Sequence, residues 1–118
     1  MSIVHCDQHV PSHINSAVTS SQTLTGDEIQ LYACTGVTIQ TACTNGAAGT
    51  VYVDITNQQG TSPAWVQTTS ATVAANGTAL LNFSQVDQLT SMHKMRCRFT
   101  STAAGNVQVS VNGRRLTY

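Results

Sequence analysis

Thr50–Thr56 reads TVYVDIT, and this stretch decides the fold class. Val51, Val53 and Ile55 share one phase, while Tyr52 and Asp54 share the other. Strict alternation is what a half-buried strand requires, because successive side chains point to opposite faces. The same period extends outward in both directions. Upstream, Val37–Cys43 (VTIQTAC) places Val37, Ile39, Thr41 and Cys43 on one face, and Glu28–Cys34 (EIQLYAC) alternates Ile29, Leu31 and Ala33 against Gln30, Tyr32 and Cys34. Downstream, Lys94–Thr100 (KMRCRFT) alternates Met95, Cys97 and Phe99 inward with Lys94, Arg96 and Arg98 outward. Asn106–Val111 repeats the pattern with Val107, Val109 and Val111.

Breaks separate these runs. Gly36 ends one, Asn45-Gly46 lies in a loop, 57–63 is polar, and Asn76-Gly77 has hairpin-turn chemistry. Thr78–Ser84 directs Leu81 and Phe83 to one side. Ser84 followed by Asp87 resembles a capping box, which predicts one helical turn before Lys94. Asn112-Gly113 reads as a turn before a short terminal strand, Arg114–Tyr118. The turn signals recur at intervals of roughly 8–14 residues, the spacing of an antiparallel sandwich or small barrel. No long helix or βαβ alternation is visible, which excludes a parallel sheet. The expectation is an all-β chain: an antiparallel β-sandwich, jelly-roll or Ig-like, of about eight strands. Residues 27–118 form the sandwich. Residues 1–26, with sparse apolar positions and an interruption at Pro11, read as an extended N-terminal arm, with one strand near Ala17–Leu24.

Composition narrows the function classes. Charged residues are 8% of the 118 and the net charge is zero, against about 25% charged in an ordinary domain. Thr and Ser, about a quarter of the chain, replace the missing charge. Five Lys and Arg are too few for a basic nucleic-acid face, so no nucleic-acid partner is expected. No apolar run approaches the roughly 20 residues of a membrane span, so no membrane partner is expected either. Met1–His5 lacks the basic and apolar regions of a secretory signal. The four cysteines, Cys6, Cys34, Cys43 and Cys97, are therefore read as buried thiols. In an oxidising compartment they would allow three disulfide pairings.

Candidate chemistry is sparse. His5, Cys6, His9 and His13 are metal-ligating types, since zinc takes thiolate and imidazole. Val10-Pro11 disfavours the helix that would align them, and no second ligand pair follows. Scattered histidines on an arm, with no metal or other cofactor, is the reading, and a zinc site is the alternative. No Gly-x-Ser-x-Gly elbow, paired carboxylates or phosphate loop is present, so no enzyme activity is expected. Two features suit binding. Trp65 packs at the sandwich rim or, with Tyr32 and Tyr52, forms a platform for sugar or protein. Lys94, Arg96 and Arg98 form one outward row, joined by Arg114 and Arg115 if the terminal strands pair. That row is either a solvated face or a contact face for a partner's carboxylates.

The order of these elements carries a resemblance. An alternating VTIQTAC strand, TVYVDIT, a loop to Trp65 and a Gly77 turn are followed by MRCRFTSTAAGNVQVSVNGR. From about Gly36 to Arg115 the chain resembles small β-sandwich virion structural proteins of tailed bacteriophages. The resemblance implies a structural role: a capsid cement (decoration) protein binding between major capsid protein subunits and stabilising the head. It also implies a homotrimer, assembled in the host cytoplasm and located in the virion, on the capsid surface. The alternative is a tail or tail-tip module binding carbohydrate or a receptor.

The strand phase is directly testable. Val53→Asp puts an unpaired charge in the core and is expected to cost several kcal/mol, read as a collapse of the denaturation midpoint. A melting temperature within a degree or two of wild type would refute the phase.

Overall fold

In the TVYVDIT strand, Val51, Val53 and Ile55 are buried and Tyr52 lies half-buried on the opposite face. The computed structural model describes residues 4–5, 10–31, 34–57, 64–84 and 94–115. Within them run β1 (Val4–His5), β2 (Val10–Val18), β3 (Thr23–Thr25), β4 (Ile29–Gln30), β5 (Cys34–Thr44), β6 (Ala48–Thr56), β7 (Val66–Val73), β8 (Thr78–Ser84), β9 (Lys94–Ala103) and β10 (Gly105–Arg115). They form two sheets. Sheet A has the order β1-β4-β9-β6-β7, with β3 also pairing β9, and sheet B has the order β2-β10-β5-β8. All pairs are antiparallel except the short β1–β4 pair.

This topology is a jelly roll. β3 and β4 are two pieces of one edge along β9. The chain then nests as β6 against β7, β5 against β8, β3/β4 against β9 and β2 against β10, with successive nested pairs in alternate sheets. Each strand presents its apolar phase to the space between the sheets. Val37, Ile39 and Cys43 of β5, Met95, Cys97 and Phe99 of β9, and Val107, Val109 and Val111 of β10 meet there with the β6 residues. Cys43 and Cys97 are free and buried. Burial pushes both thiols up, that of Cys97 to about 12, with Asp54 contributing.

Several expectations are corrected. The Asn-Gly turns do not close hairpins. Asn45, Gly46 and Asn76 have positive φ, as such turns require, yet β5 and β6, and likewise β7 and β8, lie in opposite sheets. The turns instead interlock at one end of the sandwich. The Gly46 amide donates to Asn76 Oδ1 (2.8 Å), the Cys43 amide to the Gly77 carbonyl (2.9 Å) and Asn45 Nδ2 to Asn106 Oδ1 (2.7 Å). Gly105 is required there, because a Cβ would stand 2.4 Å from the Ala47 nitrogen. Gly36 and Asn112-Gly113 do not end a strand. Gly36 pairs Ser84 and Arg114, and Asn112 and Gly113 pair Thr38 and Val37, so strand pairing overrides the local turn signal, with a slip just beyond Gly36 where Arg115 faces Cys34. The helical turn expected after Ser84 lies outside the described residues.

The stretch 1–26, expected as an arm, supplies strands of both sheets where it is described. β2 pairs β10 and β3 pairs β9, and Ile14 and Val18 enter the core. Pro11 sits where the pairing slips. Val109 faces Ile14 and Val111 faces Val10, so residues 11–13 stand against Ser110 alone. A proline fits an edge strand at a bulge, where it needs no ladder bond. Within this slip, His13 is buried. Its Nε2 accepts the Cys97 amide of sheet A at 3.0 Å. That amide lies between the β3 and β4 pairings, where the edge is interrupted, and the Cys97 carbonyl accepts the Gly26 amide at 2.9 Å. His13 thus supplies the acceptor that the broken strand omits. Gly26 packs on the ring, and a Cβ there would stand 2.2 Å from Nε2.

An accepting Nε2 requires the neutral imidazole. Burial lowers the His13 pKa to about 4, opposed by nearby Asp27. The unfolded chain, titrating near 6.5, then binds more protons than the folded chain between these values, so stability rises with pH in that window. Stability is expected to be full above about pH 6.5 and to fall by about 3 kcal/mol as pH drops to 4. Denaturant titrations at pH 7, 5.5 and 4.5 measure the loss. His13→Gln, which keeps an acceptor without titrating, is expected to flatten it.

Candidate functional site

The outward phase of sheet A carries four of the ten charged residues: Asp54, Lys94, Arg96 and Arg98. In the β6–β9 ladder Tyr52 faces Arg98, Asp54 faces Arg96 and Thr56 faces Lys94. Asp54 also faces Gln67 of β7. The phase points Asp54 away from the core, yet its side chain is only 3% exposed. Two guanidinium groups cover it. Arg98 grips it with both ends, Nε donating to Oδ2 at 2.6 Å and Nη2 to Oδ1 at 3.0 Å. Arg96 donates from Nε to Oδ2 at 3.1 Å. Charge-assisted bonds of this kind are the strong ones, and the forked geometry of Arg98 adds orientation. The hydrogen bond to Asp54 raises the already high Arg98 pKa.

Each guanidinium also lies over an aromatic ring. Arg96 Cζ is 4.4 Å from the Trp65 ring centroid and Arg98 Cζ is 4.9 Å from that of Tyr52. Arg98 Nη2 further donates to Gln67 Oε1 at 3.1 Å. The result is an array in the order Trp65, Arg96, Asp54, Arg98, Tyr52, with a net charge of one positive unit. Arg96 and Arg98 remain 26% and 27% exposed. Arg98 has both ends of its fork engaged. Arg96 uses only Nε, so among the described residues its two terminal nitrogens have no hydrogen-bond partner.

The structure thus unites part of the predicted set and divides the rest. Trp65, Arg96 and Arg98 meet on one face. Lys94 belongs to the same row but is not presented to solvent: it is 5% exposed and pairs with Glu28 at 2.7 Å. Arg114 and Arg115 do not join the row. The terminal strands β9 and β10 lie in different sheets, and β10 pairs with β5, where Arg114 faces Gly36. The placement follows from the roll, which sends each successive strand after β8 to the opposite sheet. Tyr32, Cys6 and His9 lie outside the described residues. His13 is engaged with Cys97, and among the described residues no group of three His, Cys, Asp or Glu could hold a metal. Sequence reading missed Asp54 and Gln67 as parts of the array. The available signal was a lone acidic residue on an outward phase with a cationic strand elsewhere.

No protein-family model and no curated protein sequence matches the chain. Solved structures do match in shape. The PBSX exported protein XepA superposes with a TM-score of 0.67 at 11% identity, covering 99% of this chain and 41% of that one. The SPBc2 prophage-derived protein YomS gives 0.55 at 13% identity, covering 88% of each chain. The carbohydrate-binding module CsCBM6-3 from Clostridium stercorarium, solved with cellobiose, gives 0.52 at 11% identity and covers 98% of each. At these identities the likeness establishes the sandwich fold alone. That fold is shared by an exported protein, a prophage-derived protein and a carbohydrate-binding module.

Asp54→Asn keeps the shape and removes the charge that both arginines share. With the arginines partly solvated, the expected loss is about 2 kcal/mol rather than the larger cost of a fully buried broken pair. Urea unfolding monitored by Trp65 fluorescence measures it, and the native emission is expected to shift as Arg96 leaves the ring.

Proposed function

We propose that the chain is a non-enzymatic structural protein of a bacteriophage particle and, more narrowly, a capsid cement protein that seats on major capsid protein subunits. The observation carrying this reading is the Arg96 fork. It is fixed by Asp54 on one side and by Trp65 beneath, with its terminal nitrogens directed to no described partner. A pre-positioned fork suits a carboxylate on an adjoining protein, because little side-chain freedom is lost on contact. Trp and Arg side by side are also the residue types that dominate protein interfaces. The shared fold of XepA and YomS supports a phage setting.

The state of the described thiols, imidazole and carboxylate supports the non-enzymatic part of this reading. Cys97 and Cys43 are buried with raised pKa values, and His13 is neutral and engaged. Asp54 is enclosed by its arginines. Neither these thiols, nor His13, nor Asp54 is thus presented as a nucleophile or base.

One observation favours a second reading, a tail or tail-tip carbohydrate-binding module. Trp65 and Tyr52 stand at the surface on one sheet face, and the fold is that of CsCBM6-3. Each ring already carries a guanidinium on one side, which leaves a single face of each for stacking on a sugar.

Co-sedimentation of the purified protein with particles of its own phage separates these readings. Wild type is expected to bind particles, and Arg96→Ala to weaken binding about tenfold, equivalent to about 1.4 kcal/mol. Absence of the protein from purified particles by mass spectrometry would overturn the particle reading. Binding on a glycan array that is lost in Trp65→Ala would establish the second.

A further inference from the structure

The two flanks of the sandwich are guarded differently. On one flank lie the edge β2 of sheet B and the interrupted edge β1, β3 and β4 of sheet A. β2 carries Pro11 and a register slip, the sheet A edge is cut into pieces of two or three residues, and Asp27 and Glu28 stand in the gap. Short strands, proline, bulges and charges are the features that stop an open edge from pairing with another chain. On the other flank lie β7 and β8. No charged residue occurs from 55 to 86. β7 has one protecting feature, a slip where Val53 faces Thr69 and Asp54 faces Gln67, leaving Thr68 unmatched.

β8 has none. It pairs with β5 without a slip from Thr78 opposite Ala42 to Ser84 opposite Gly36. It contains no proline, glycine or charge, and no described strand pairs with its outer edge. Its outward phase carries Leu80, 56% exposed, between exposed Thr78 and Asn82.

We propose that β8 is the self-association edge, pairing antiparallel with β8 of a second copy about a two-fold axis through Leu80. The second copy is the occupant because this edge is complementary to itself. Two-fold pairing sets each position against its symmetry mate, which is unfavourable for a charged strand and free of repulsion for this one. The pleat requires paired residues to share a face, so the axis passes through a residue, not between two. With the axis at Leu80, the two Leu80 side chains cover each other, and Thr78 stands opposite Asn82. The second copy's sheet extends sheet B from four strands to eight, using main-chain groups of the edge that no described strand pairs. The arrangement is an isologous dimer, distinct from the trimer implied by the phage resemblance, and it stands whether or not the particle reading does.

Sedimentation equilibrium of the full chain tests it. Wild type is expected to dimerise in the micromolar range. Leu80→Lys and Leu80→Glu are each expected to raise the dissociation constant at least tenfold, with circular dichroism unchanged because Leu80 lies outside the core. Mixing the two variants is expected to restore a dimer, since opposite charges then meet at the axis. A wild type that stays monomeric at about 100 micromolar, where a dimer of micromolar affinity is mostly formed, would overturn the proposal. So would a trimer, a dimer indifferent to both variants, or a mixture that stays monomeric.

Discussion

A carboxylate placed on the outer face of a sheet and then covered by two guanidinium groups sets the arrangement of sheet A. Asp54 is nearly inaccessible to water and has two guanidinium groups as partners. An anion in that position without them would be strongly disfavoured. Its need for charge therefore holds Arg96 and Arg98 against β6, and their flat faces in turn hold Trp65 and Tyr52. Since Trp65 directly precedes β7 and Gln67 lies within it, one carboxylate organises three neighbouring strands, β9, β6 and β7. The face becomes a fixed array in which, among the described residues, the terminal nitrogens of Arg96 have no hydrogen-bond partner.

Between the sheets, a second polar requirement is met in an unusual way. The edge strand along β9 breaks between β3 and β4, and a broken edge leaves a main-chain donor at Cys97 without its ladder partner. Buried donors of this kind are almost always satisfied. Here a side chain from the opposite sheet does it, through His13 at the β2 slip. The sheets are thus joined by a directional bond in addition to apolar contact. Gly26 is the complementary requirement, since only a residue without a side chain leaves room for the ring.

Much of the architecture was legible in the sequence. The phase of β5, β6, β9 and β10 follows from period-two alternation, and the buried sets Val37, Ile39, Cys43; Val51, Val53, Ile55; Met95, Cys97, Phe99; and Val107, Val109, Val111 match it. The contributions of β2 and β3 were harder to see. Their apolar residues are few, and the slip at Pro11 destroys the alternation on which the reading depends. The turns were legible as turns but not as connections. Asn-Gly specifies a local reversal, while the pairing of the strands it joins is decided elsewhere. The candidate site was legible as an outward row at Arg96 and Arg98 with an aromatic at Trp65. Its centre, Asp54, was not, because burial on an outward phase arises only when long side chains from a distant strand fold over it.

By itself, then, the sequence determined the fold class, the strand phases and the scarcity of charge. These are local or compositional properties, set by whether neighbouring residues favour extended backbone and which side of it is apolar. Only the tertiary structure decided which strands are neighbours. That choice resolved jelly roll over immunoglobulin-like order, separated Arg114 and Arg115 from Arg96 and Arg98, joined His13 to Cys97 and placed β8 at an edge that no described strand pairs. The physical reason is that alternation orients a strand toward a core without naming the partner beside it. Pairing is settled by contacts between residues far apart in sequence, which have to be satisfied all at once.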